Sequence, residues 1–84
     1  MYKYITDGTE TQVVTGPVRK AIIQVNAALT GTIKVIDNTT GTTANVATIT
    51  NPTVGSIYEY HTLVNGFRVV ASGSCDITAS TEIR

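Results

Sequence analysis

Glu59 and His61 stand two residues apart in Ile57-Tyr58-Glu59-Tyr60-His61, so an extended strand points both to one face. A carboxylate beside an imidazole is the smallest acid–base pair. The chain gives it no help: no nucleophile or third orienting group stands where it would complete a catalytic set. The pair reads as a solvated or interfacial polar pair. His61 is the only histidine and Cys75 the only cysteine. That excludes an internal disulfide and a zinc site with several His or Cys ligands. Cys75 precedes an acid, Asp76, and reads as a small buried hydrophobe, not a nucleophile. Asp7, Asp37 and Asp76 sit at turn-like positions, where Asp bonds nearby backbone. No Asp-rich loop offers the oxygens that calcium needs. No glycine-rich run leads into a helix, so no phosphate loop is present. The expectation is a protein with no catalytic residue, no cofactor and no metal, and not an enzyme.

The tyrosines are the other candidates. Tyr2 and Tyr4, and Tyr58 and Tyr60, form two Tyr-x-Tyr pairs, each on one face of its strand. Amphipathic Tyr suits a partner-docking surface or a sugar-stacking platform, and is also ordinary in half-wet sheets. Asn38-Thr39-Thr40 matches a glycosylation sequon, which a Thr-rich chain produces by chance.

The elements that carry these residues are strands. Thr supplies 16 of 84 residues, lying between or inside β-branched runs such as Ala21–Val25 and Thr32–Ile36. Thr packs its methyl group and wets its hydroxyl, which fits a pleated surface. No window carries apolar residues at helical spacing. Strand signals recur about every 10–12 residues. They predict strands over Tyr2–Thr6, Gln12–Thr15, Val18–Asn26, Thr32–Asp37, Asn45–Thr50, Ser56–Val64, Phe67–Ser72 and Asp76–Ile83. The fold class is all-β: a small antiparallel β-sandwich of about seven or eight short strands with no substantial helix. Asp7-Gly8 reads as a hairpin-type turn. Asn65-Gly66 reads as a type I′ hairpin turn, since both residues accept positive φ. That hairpin puts Tyr58, Tyr60, Val64, Phe67 and Val69 on the core face. It leaves Ile57, Glu59, His61, Leu63, Arg68 and Val70 on a wetter face. Val18–Asn26 has apolar residues on both faces along part of its length and belongs in the middle of a sandwich or against another chain. Gly16-Pro17 sets off the first segment. The domain reading is residues 1–17 as an N-terminal arm or edge hairpin and 18–84 as the sandwich.

Eighty-four residues make one domain. A chain this short buries only about 60–65% of its unfolded surface and needs a further stabiliser. With disulfide and metal excluded, oligomerisation or a partner surface is left. Six basic and six acidic residues cancel and are scattered, apart from Arg19-Lys20. No basic stripe points to nucleic acid, and no apolar stretch reaches membrane-spanning length. The opening residues lack the apolar core of a signal peptide, so synthesis in a cytosol is expected.

From Thr32 onward the motifs resemble a known group. The run Thr32–Gly41 (TIKVIDNTTG) is followed by Ala47-Thr48-Ile49 and Gly55–Tyr60 (GSIYEY). Asn65–Gly73 (NGFRVVASG) and Asp76-Ile77-Thr78 close it. This resembles small tailed-bacteriophage virion structural proteins of the capsid-decoration and head-fibre type. The likeness covers about two-thirds of the chain and rests on turn and core residues. It implies a compact β-sandwich displayed on a virion, often as a trimer, and carries over no catalytic residue. The reading is therefore a non-enzymatic virion protein, made in the host bacterial cytoplasm, that decorates the capsid as a homotrimer. It binds phage capsid or other virion proteins and neither nucleic acid nor membrane. A head-fibre or tail-fibre module, which positions a receptor binder or binds surface glycan, is the alternative. The expected partner interface is Tyr2, Tyr4, Ile5, Val13, Val14, His61, Leu63 and Val70.

Overall fold

The computed structural model describes all residues except Met1, Asp7, Thr9, Leu29, Thr42, Ile83 and Arg84, and only the backbone of Glu82. It contains eight strands: β1 (Tyr2–Ile5), β2 (Glu10–Thr15), β3 (Val18–Val25), β4 (Thr32–Ile36), β5 (Asn45–Thr50), β6 (Ile57–Leu63), β7 (Gly66–Ala71) and β8 (Ile77–Glu82). No helix occurs among the described residues. Each strand coincides with a β-branched or aromatic run that the sequence predicts, to within two residues at either end.

The strands form two antiparallel sheets, β1-β8-β3-β6 and β2-β7-β4-β5. The pairings β1–β8, β2–β7, β3–β6 and β4–β5 are nested. The chain is thus one long hairpin, bent at the β4–β5 loop and rolled so that successive strand pairs alternate between sheets. This is the eight-stranded jelly roll. Only β4 and β5 are joined as consecutive neighbours in one sheet. Gly41 (φ 68°) and Ala44 (φ 64°) turn their loop, and the Asp37 amide donates to the Ala44 carbonyl (2.9 Å).

The core lies between the sheets. Ile5, Ala21, Ile23, Val25, Ile77 and Ala79 face it from the first sheet, and Val13, Ile33, Val35, Ile49, Phe67 and Val69 from the second. Alternation explains most of this: Ala21, Ile23 and Val25 are buried while Gln24 is exposed.

Two expected turns are not hairpins. β6 and β7 belong to different sheets, so Asn65-Gly66 is a crossover. Neither residue has positive φ. Gly66 is required for space: a Cβ there would lie 2.8 Å from the Asn38 carbonyl oxygen and 2.9 Å from that of Val14. β1 and β2 likewise belong to different sheets, so Asp7-Gly8 joins no hairpin; Asp7 itself lies outside the described residues. The first segment edges both sheets, with Ile5 and Val13 inside the core.

The crossover also corrects the face assignment. Phe67 and Val69 are fully buried, as expected, and Tyr58 and Tyr60 pack half-buried against the core. Val64, expected inside, is 62% exposed, and Leu63, expected on the wet face, is buried at 2%. Leu63 pairs with Val18, also buried, at the end of the β3–β6 ladder where the chain leaves for the other sheet.

Candidate interaction surface

The outer faces of the two sheets differ. On β2-β7-β4-β5, the β4–β5 loop and polar ties cover part of the surface. Arg68 donates to the Gly41 carbonyl through Nε (3.0 Å) and to Gln12 Oε1 through Nη1 (2.9 Å), and forms an ion pair with Glu10. Gln12 donates to the carbonyls of Val14 (2.7 Å) and Asn38 (3.0 Å). Beneath these groups Ile36, register partner of Arg68, is fully buried. Val70 is half-buried between its register partners Glu10 and Lys34.

Among the described residues the outer face of β1-β8-β3-β6 carries no such cover. The registers align Tyr4, Thr78, Gln24 and Ile57 in one row, and Tyr2, Ser80, Ile22 and Glu59 in the next. Tyr2 is 71% exposed, and Tyr4 and Ile57 are each 60% exposed. Ile22 lies half-buried between them. At one end the Tyr4 hydroxyl donates to the Asp76 carboxylate. That bond, then slight desolvation and the carboxylate's charge, raise the phenol above its ordinary value. Asn26 Nδ2 donates to Asp76 Oδ1 (3.3 Å) and Thr78 Oγ1 (3.1 Å). At the other end Lys20 Nζ lies 3.3 Å from Glu59 Oε1, and His61 Nε2 lies 4.0 Å from the same oxygen. Two tyrosines and two isoleucines thus stand on a field of Thr, Ser and Gln, flanked by charge. Tyr2 and Tyr4 stand on the β1 edge and Ile57 on the β6 edge, with Thr78, Ser80, Gln24 and Ile22 between them; amphipathic tyrosines among polar side chains suit a docking face.

The eight residues expected at the interface divide by this geometry. Tyr2, Tyr4 and His61 share the outer face just described. Ile5, Val13 and Leu63 are core residues, at 4%, 3% and 2% exposure, and cannot meet a partner in this fold. Val14 packs half-buried against the core at a β2 bulge, and Val70 lies on the opposite sheet. Ile57 shares this face with Glu59 and His61 as expected, though it was not among the eight; Ile22 and Gln24 join it without having been expected there, and alternation from Tyr2 and Tyr4 finds them only once the strand order is known. Cys75 packs half-buried against the core, its Sγ 3.6 Å from the Ile5 carbonyl oxygen. Among the described residues no group of His, Cys, Asp and Glu could hold a metal ion, and no pocket opens.

No protein-family model, curated protein or solved structure matches this chain.

Proposed function

We propose that this is a non-enzymatic structural protein of a tailed-phage virion, one that decorates the capsid and binds between capsid subunits. The observation that carries the reading is the outer face of β1-β8-β3-β6, where Tyr2, Tyr4 and Ile57 stand exposed. A sheet face with exposed aromatic anchors suits a macromolecular partner. The likeness from Thr32 onward supplies the virion, and eight-stranded jelly rolls are frequent in viral shells, which supports it by analogy alone. Many copies docking through this face would add a little stability at each capsid joint.

Labelling the purified protein and imaging it on particles of its phage tests this. Decoration predicts label over the whole shell. Label confined to a few sites selects the fibre module, which the exposed tyrosines also suit through sugar stacking. Absence of label overturns both. The double variant Tyr2→Ala with Tyr4→Ala should weaken particle binding about tenfold or more, since aromatic anchors dominate such interfaces.

A further inference from the structure

Four strands edge the two sheets, and three have features that discourage pairing. β1 has only four residues. β2 carries a bulge between Gln12 and Val14. β5 shifts register against β4 between Val35 and Ile36 and ends at left-handed Asn51 (φ 47°) and Pro52. β6 is different: seven residues with no Pro, no Lys and no register shift against β3. Long regular edges recruit other strands.

The ladder tells which β6 groups face outward. The Val25 amide donates to the Ser56 carbonyl (2.9 Å), and the Val25 carbonyl accepts from the Gly55 amide (2.9 Å). Val25 therefore aims its backbone at β6, and every second residue of β3 does the same. Ile23–Tyr58 and Ala21–Tyr60 are then the bonded pairs. The amides and carbonyls of Ile57, Glu59 and His61 point to the open side.

An antiparallel strand added there sets outward-facing residues against outward-facing residues. We infer that the added strand is β6 of a second copy, related by a twofold axis between the two Tyr60 residues. This register places Glu59 of each copy opposite His61 of the other, twice. The neighbouring permitted registers set Glu59 against Glu59, or His61 against His61, so of the three only this one sets the carboxylate against the imidazole. Lys20, 3.3 Å from Glu59 and register partner of His61, is a further charge facing this pair. A carboxylate has lone pairs for both the ammonium and an imidazole N–H. On the core side Tyr60 meets Tyr60 at a non-bonded position, where cross-strand side chains approach most closely. The two four-stranded sheets become one sheet of eight. The pairing is symmetric and gives a dimer, where the sequence reading expected a trimer. It does not rest on the virion reading, because it concerns the purified chain alone.

Sedimentation across a concentration series tests it. The unmodified chain should pass from 8.9 kDa to twice that mass. H61E, which sets carboxylates against each other twice, and E59K, which leaves the imidazole opposite an ammonium with no acceptor carboxylate, should each raise the dissociation constant about tenfold or more. The swap E59H/H61E restores the carboxylate–imidazole pairing and should restore the dimer. In a C75S background, oxidised Y60C should cross-link to itself, since only this register brings residue 60 against its own copy. A monomer at every concentration, a trimer, a dimer indifferent to these charges, or a Y60C that does not cross-link would each overturn the inference.

Discussion

Asp37 lies just past the end of β4 yet holds the distant β6–β7 crossover. Its carboxylate accepts hydrogen bonds from the backbone amides of Val64 (3.1 Å), Asn65 (2.8 Å) and Gly66 (3.2 Å). Desolvation pushes this carboxyl up, but the three amides together outweigh it and hold it below its ordinary value of 3.8. A carboxyl lowered on folding contributes stability in full above its unfolded value, and that contribution fades as pH falls through the folded one. Denaturant midpoints should therefore drop below about pH 4 in the parent and less in Asp37→Ala. At neutral pH that variant should lose about 1–2 kcal/mol, the size of a lost capping interaction. Gly66→Ala should cost about 1–3 kcal/mol, because the added methyl meets backbone on two sides. Chemical denaturation measures both. Thr81 runs the other way. Its buried hydroxyl has no hydrogen-bond partner among the described residues, so Thr81→Val should gain about 1 kcal/mol in the same assay. At this scale the sequence was half legible. Asn65-Gly66 announced a change of direction, but its use as a crossover depends on Asp37, 28 residues away, and on crowding by Asn38 and Val14.

Strand positions could be read because Thr, Val, Ile and Tyr cluster where the backbone is extended and Gly, Pro and Asn interrupt them. Strand partners could not, because nested pairing joins residues far apart in the chain. Tyr2 opposes Ser80, and Glu10 opposes Val70. A local hairpin signal therefore misplaced Leu63 and Val64, which a change of sheet exchanged between inside and outside. The same reasoning bears on residues 2–15. As an arm, they would be dispensable to the fold. As β1 and β2 they supply Ile5 and Val13 to the core and cover the sides of β8 and β7. Deleting them should leave a chain without cooperative thermal unfolding by circular dichroism. A folded remnant would return the segment to the role of an arm.

Taken whole, the molecule is dominated by contacts between distant parts of the chain. Only the β4–β5 pair closes locally, and each later pair must close around a longer loop. Loop closure of this kind slows folding, so refolding should take milliseconds to seconds, not microseconds. Stopped-flow fluorescence of the tyrosines measures it. Stabilising the β4–β5 loop, for example with a residue that favours positive φ at Ala44, should speed refolding if that hairpin forms first.

The outermost pair has a consequence for anything tethered to this protein. Because β1 lies beside β8 at one margin of its sheet, a linker fused before Tyr2 and another fused after Glu82 would set out from the same side. β6 occupies the opposite margin. Cargo hung from either end, or a leash to a larger assembly, would leave that far side unobstructed. The molecule could be held by one flank while the other stays exposed.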